Sequence, residues 1–243
     1  IDTEELGAEL NWALTSATRV AARYVDIDRE GASEESVASL QVGTDITERL
    51  TVSAEVQDRD FQGVGLLEDD DATRAALGVS YEISRSLTIY SIGQGTLDGD
   101  VNDRITLGVK TGVTDRLSLI LEGSTGNKGD AVELGADYRL SDTEEVYGSY
   151  TLSTDRTDAG RNVATLGNRR QISNQLNVFN EFQFSHGERN AGIAHVFGID
   201  YDTEGGWTVG LSAQYANLKD NGTDIERTAA TVTSRFRGDK TEF

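Results

Sequence analysis

The sequence predicts an all-β protein: an antiparallel up-and-down meander of about 15–16 strands closed into a transmembrane β-barrel. Three observations predict it. Apolar and polar residues alternate strictly, one hairpin phrase recurs along the chain, and short turns take turns with longer acidic loops.

The recurring phrase sets the strand pairs. A large apolar residue is followed seven positions later by a turn former, and three positions after that by a second apolar residue. Leu40, Thr47 and Leu50 fit this frame, as do Leu77, Ser84 and Leu87, then Leu107, Thr114 and Leu117. Leu166, Ser173 and Leu176 fit it too, and Phe197, Glu204 and Trp207 keep the spacing. A fifth copy begins at Leu134 and Ser141, but its second strand slips to Val146; the opening copy around Trp12 to Val20 is the weakest. Glycine follows the first apolar residue at Gly78, Gly108, Gly135, Gly167 and Gly198.

Within each phrase the period is two. Ile105, Leu107 and Val109 oppose Arg104, Thr106 and Lys110; Val132, Leu134, Ala136 and Tyr138 oppose Glu133, Gly135 and Asp137. Helical spacing fits neither run, and a one-residue slip would move every charge onto the apolar face. Short turns fall at Thr47-Glu48-Arg49, Ser84-Arg85-Ser86, Thr114-Asp115-Arg116 and Ser173-Asn174-Gln175. Longer loops are expected over 29–36, 61–71, 97–103, 155–160 and 219–224. The chain thus places short turns on one rim of the sheet and long loops on the other.

Strand length points to a membrane barrel. A strand of about 10 residues rising about 3.3 Å each and tilted about 45° covers roughly 23 Å, close to the apolar band of about 25 Å on an outer-membrane barrel. Sandwich strands average about 5–6 residues. Closure also removes the open edges that so long a meander would expose. Tyr81, Tyr138, Tyr201, Trp207 and Phe236 lie near the short turns, where an interfacial girdle belongs; Tyr24, Tyr90, Tyr150 and Phe184 lie farther toward the loops. Arg19, Arg23 and Arg235 interrupt the apolar faces in some registers.

Composition narrows the function. With 22 Lys and Arg against 42 Asp and Glu, the formal charge is −20, which opposes binding to nucleic acid. Cysteine is absent, so disulfides and thiolate metal sites are excluded. Proline is absent as well, as suits a chain made mostly of hydrogen-bonded strands. Strand polarity leads to a further expectation. The first and fifteenth strands run the same way, and Thr241 to Phe243 reads as the start of a sixteenth. Residues 1–243 are therefore expected to be a single barrel domain or a barrel segment of hairpin repeats, truncated at both ends and part of a larger barrel.

The run from Gly167 to Phe243, with NQLNVFNEFQFSHG, AHVFGIDY and GGWTVG, resembles part of large, poorly characterised outer-membrane β-barrel proteins of Gram-negative bacteria built from repeated β-hairpins. The resemblance is good over 167–243 and generic before it. It implies an outer-membrane location and no catalytic residues.

Motifs for chemistry are lacking. The two histidines, His186 and His195, have no second ligand at metal spacing, and no triad, P-loop or nucleotide fingerprint occurs. Asp98, Asp100, Asn102 and Asp103 open like a calcium loop, but the sixth and twelfth places hold Asp103 and Val109 instead of Gly and Glu. Only loosely bound divalent cations are expected there or at Glu68 to Asp71; no cofactor is expected. The charges that alternation places in the lumen are Glu82, Arg104, Lys110, Glu122, Glu133, Asp137, Arg139 and Glu181.

The leading expectation is a non-enzymatic outer-membrane barrel forming a water-filled pore or translocation channel, with its long loops extracellular. Its expected partners are the lipid bilayer and lipopolysaccharide, with other envelope subunits or further parts of the same chain. The rivals are a structural or adhesive surface protein anchored by the barrel, and a soluble acidic β-repeat protein.

Overall fold

A computed structural model describes residues 3–29, 33–63, 71–154, 162–187, 190–203, 205–220 and 223–238. Fifteen strands account for nearly all of them. They are β1 (Thr3–Ala13), β2 (Thr18–Arg29), β3 (Ser33–Asp45), β4 (Leu50–Gly63), β5 (Ala72–Ser84) and β6 (Leu87–Gly99). β7 (Arg104–Gly112), β8 (Leu117–Gly126), β9 (Gly129–Ser141), β10 (Glu144–Ser153) and β11 (Asn162–Gln171) follow. β12 (Leu176–His186), β13 (Asn190–Asp202), β14 (Trp207–Asp220) and β15 (Thr223–Gly238) complete the wall.

Each strand pairs antiparallel with its sequence neighbours, and the sheet closes on itself. Fifteen alternating strands leave the first and last running the same way, so the closing ladder must be parallel. β1 pairs with β15 in two stretches, Thr3–Leu6 with Ala229–Val232 and Glu9–Trp12 with Arg235–Gly238. The pairing skips Gly7 and Ala8. Strands spaced about 4.8 Å and tilted about 40° give fifteen of them a backbone radius of roughly 15 Å, wider than side chains from the wall can fill.

The hairpin phrase is explained by its turns. Thr114 Oγ1 accepts hydrogen bonds from the amides of Arg116 (3.2 Å) and Leu117 (3.0 Å). Thr47 and Ser173 do the same for Arg49 and Leu50, and for Gln175 and Leu176. The hydroxyl at the seventh position thus binds the amides that turn the chain, and the apolar residue three places on begins the next strand. Gly206 sits at φ +81°, which explains the Gly-Gly in the turn before Trp207. At Ser141 the turn is tighter, with Thr143 donating to Ser141 Oγ (3.2 Å), and the register shifts between Glu144 and Glu145. The Ser84 turn has the same form, with the Ser86 amide donating to Ser84 Oγ (3.3 Å) and a register shift between Glu82 and Ser84, so the copy at Ser141 differs in starting its strand with Glu144 where the other starts with Leu87.

The opposite rim differs from expectation. Strands run on into segments read as loops: β3 starts at Ser33, β4 reaches Gly63, and β6 reaches Gly99. β14 continues to Asp220 and β15 starts at Thr223. Between β8 and β9 only Asn127 and Lys128 intervene. Polar composition marked these residues as loop, whereas their backbones continue the ladder beyond the apolar band. Residues 68–70 and 241–243 lie outside the described residues.

Candidate functional site: the inner wall

Exposure separates the two faces, because side chains splay apart on a convex wall and crowd on a concave one. Leu77, Leu107, Leu134 and Leu166 are 67, 61, 56 and 59% exposed, while the neighbouring Gly78, Gly108 and Gly135 are buried. The convex face is therefore the apolar one. The concave face carries charges along its length, whereas outward charges such as Asp26, Asp60 and Arg170 lie toward the two rims.

Register places all eight candidate charges on the concave face. Glu82 lies opposite Thr88, which lies opposite Lys110. Arg104 and Lys110 alternate with outward Ile105, Leu107 and Val109 on β7. Glu122 pairs directly with Glu133 across β8 and β9, and Asp137 pairs with Ser118 on one side and Tyr147 on the other. Arg139 lies opposite Glu145, and Glu181 opposite Gly167 and Val196. The structure brings Glu122 and Glu133 together and spreads the rest around the wall. Arg19 and Arg23 are also concave, with Arg23 opposite Glu9, so neither interrupts the apolar face.

Alternation did not reveal how these groups are held. Tyr90 is on the concave face, not in a girdle. Its ring lies across Gly108 on the next strand, and its hydroxyl donates to Glu122 Oε2 one strand farther (2.8 Å). Tyr147 repeats the arrangement, lying across Gly167 and donating to Glu181 Oε2 (2.9 Å). A Cβ at either glycine would overlap the ring. Phe179 lies across Gly198 in the same way without a hydroxyl. At Gly108, Gly167 and Gly198 the repeated glycine is a seat that lets an aromatic ring lie flat against the wall, whereas Gly78 and Gly135 face Ser53 and Ile120. The signal was present as glycine after the first apolar residue, but the ring it receives is 18–20 positions away.

Charge is uneven around the bore. β8 to β13 present Glu122, Glu133, Asp137, Glu145, Glu181, Asp200 and Asp202 against only Arg139 and Arg169 among the described concave residues. The rest of the wall is mixed: Arg19, Arg23, Arg59, Arg74, Arg104, Lys110 and Arg227 share it with Glu9, Glu35, Asp45, Glu55 and Glu82. There Arg59 Nε donates to Glu35 Oε1 (2.8 Å). One arc is strongly acidic and the arc across the bore is near balance.

The 98–103 segment is partly tied to the protein, and its Asn102 Oδ1 is buried with no hydrogen-bond partner among the described residues. Asp103 Oδ1 accepts from the Thr96 amide (2.9 Å), and Thr96 Oγ1 accepts from the Asn102 amide (2.7 Å). Asp100 lies 3.6 Å from Lys128 Nζ, and Asp98 sits in the ladder opposite Thr73. Among the described residues no three acidic or histidine side chains converge as metal ligands.

Comparisons with known proteins agree with this geometry. A triple mutant of the Rhodopseudomonas blastica porin superposes with a TM-score of 0.51 at 14% identity, over 77% of this chain and 88% of that one. The chain has the porin fold. A structure described as "Asymmetric conductivity of engineered proteins" gives a TM-score of 0.53 at 15% identity, over 82% and 89% of the two chains. The KdgM porin aligns over 60% of this chain and 85% of its own at 13% identity, with a TM-score of 0.39. No protein-family model and no curated protein matches the sequence.

Proposed function

We propose that the protein is a water-filled pore of a Gram-negative outer membrane, working by passage instead of catalysis and preferring cations. The observation that carries this reading is the division of one closed wall into an exposed apolar face and a charged concave face with an acidic arc from β8 to β13. Such a wall meets hydrocarbon outside and water inside, and it satisfies its backbone within the ladder. An excess of fixed carboxylates raises the local cation concentration and lowers that of anions. The likeness to porins supports the fold on which this rests.

In this reading the rim with hydroxyl-capped turns is periplasmic and the rim of longer connections is extracellular. Outward acidic residues stand above the apolar belt at that outer rim, with Asp26 and Asp60 both opposite Ser36. There they would meet lipopolysaccharide phosphates through bridging divalent cations, the one role for bound ions we assign.

Planar-bilayer recording tests the proposal. Stepwise conductance is expected, with a reversal potential in a KCl gradient on the cation side that weakens toward 1 M salt, where the screening length falls to about 3 Å. Absence of steps, or an anion-side reversal potential, would overturn it.

A further inference from the structure

Among the described residues the apolar belt carries a cluster of amide and imidazole side chains on adjacent strands, larger than the single hydroxyl of Ser91 between Val79 and Leu107. On the convex face of β11 to β13, Asn168 pairs directly with Asn180, and His195 on β13 lies next to Asn180, opposite Phe182. His195 Nε2 donates to Asn180 Oδ1, and its ring stacks on Phe182 at 4.4 Å and 5°. Outward register is fixed by Phe197 and Ile193, which flank His195 and are each 52% exposed.

These side chains sit deep in the belt. Tyr201, in the short-turn girdle, pairs with Leu176, four residues before Asn180 and six residues after His195. At about 3.3 Å per residue and about 45° of tilt, Asn180 is roughly 9 Å and His195 roughly 14 Å above the girdle, in a band of about 25 Å. At corresponding depth the other walls present Leu77, Val109, Leu121, Leu134 and Ala213. Amides facing lipid tails have no partner there, and the Asn168 side chain and the Asn180 amide nitrogen make no hydrogen bond among the described residues.

We infer that this row is the contact surface for a second copy of the same chain, the two barrels packing side by side in the membrane about a two-fold axis near Asn180. This rests on the membrane-spanning reading. The chemistry favours a copy over a different partner. Each amide carries both donor and acceptor, so the row is complementary to its own rotated image. A hydrocarbon chain offers neither group. Beside the row, Gly148 and Ala164 keep the outer surface low, while Leu166 and Phe182 stand exposed to pack across the axis.

The chain has no cysteine, so single-cysteine variants report cleanly. Asn180→Cys, treated in intact carbonate-washed membranes with a short bis-maleimide, is expected to give a covalent dimer, while Leu77→Cys on the far wall gives none. In mild detergent the unsubstituted protein should have twice the mass of one chain, and Asn168→Leu with Asn180→Leu should have that of one. Heat-shifted electrophoretic mobility establishes that each variant is folded. Equal cross-linking at 180 and 77, a cross-link to a different protein, or a single-chain mass before substitution would overturn the inference. Release from membranes by the carbonate wash would instead contradict the membrane reading itself.

Discussion

Substituting Gly108 with alanine tests how the bore is built. A Cβ there would overlap the Tyr90 ring, which must lift from the wall toward the bore and release Glu122 from its 2.8 Å hydrogen bond. Overpacking of this kind costs about 1–3 kcal/mol. Water in the bore replaces much of the lost hydrogen bond, so that loss stays near the low end of the usual range of about 0.5–1.5 kcal/mol. Alanine in a strand recovers about 0.5–1 kcal/mol relative to glycine. The expected net effect is a destabilisation of about 1–2 kcal/mol. Gly123, on the convex face of the next strand, has nothing within 4 Å of its would-be Cβ, so the same change there should stabilise by about 0.5–1 kcal/mol. Urea unfolding in lipid vesicles, followed by tryptophan fluorescence, measures both. In a Tyr90→Ala background the Gly108→Ala penalty should vanish. Equal effects at Gly108 and Gly123, or a Gly108 penalty that survives loss of the ring, would refute the seat.

Three other changes probe separate parts of the account. Thr114→Ala removes the acceptor for two turn amides and should cost about 1 kcal/mol in the same unfolding assay, with Asp115→Ala near neutral. Leu107→Arg places a charge against lipid and should cost about 2–4 kcal/mol, whereas Thr106→Arg, one residue earlier and facing water, should be nearly silent in vesicle unfolding. Glu122→Gln with Glu133→Gln removes two like charges held directly opposite each other; the reversal potential in a KCl gradient should move toward zero, with stability unchanged or improved by up to about 1 kcal/mol.

What could be read in advance follows from the range of each interaction. Alternation at Leu107, Val109 and Lys110 reports which way a side chain points, a property of the residue and its immediate neighbours. The Thr114 turn is equally local, so the hairpins and the alternation of faces along each strand were legible. The Tyr90–Gly108–Glu122 unit spans three strands and needs the register of two ladders before the ring can be seen to meet its seat. Arg19 and Arg23 failed for a related reason: only pairing with β1 and β3 settles their face. The polar row at Asn168, Asn180 and His195 was hidden because each lies on a different strand, so only the register of the β11–β12 and β12–β13 ladders brings them together. The rim opposite the short turns differs from expectation because acidic, glycine-rich composition describes solvation, and a ladder continuing past an apolar belt is solvated on both faces.

The central claim is a wall with lipid on one face and water on the other. Cysteines placed singly from residue 104 to 110, with the protein in sealed lipid vesicles, test it most directly by reaction with a charged, water-soluble thiol reagent that enters only aqueous spaces. The account predicts fast labelling at 106 and 110 and protection at 105, 107 and 109, with 108 shielded beneath the Tyr90 ring. Uniform labelling along the strand, or protection at the even positions with labelling at the odd ones, would contradict it.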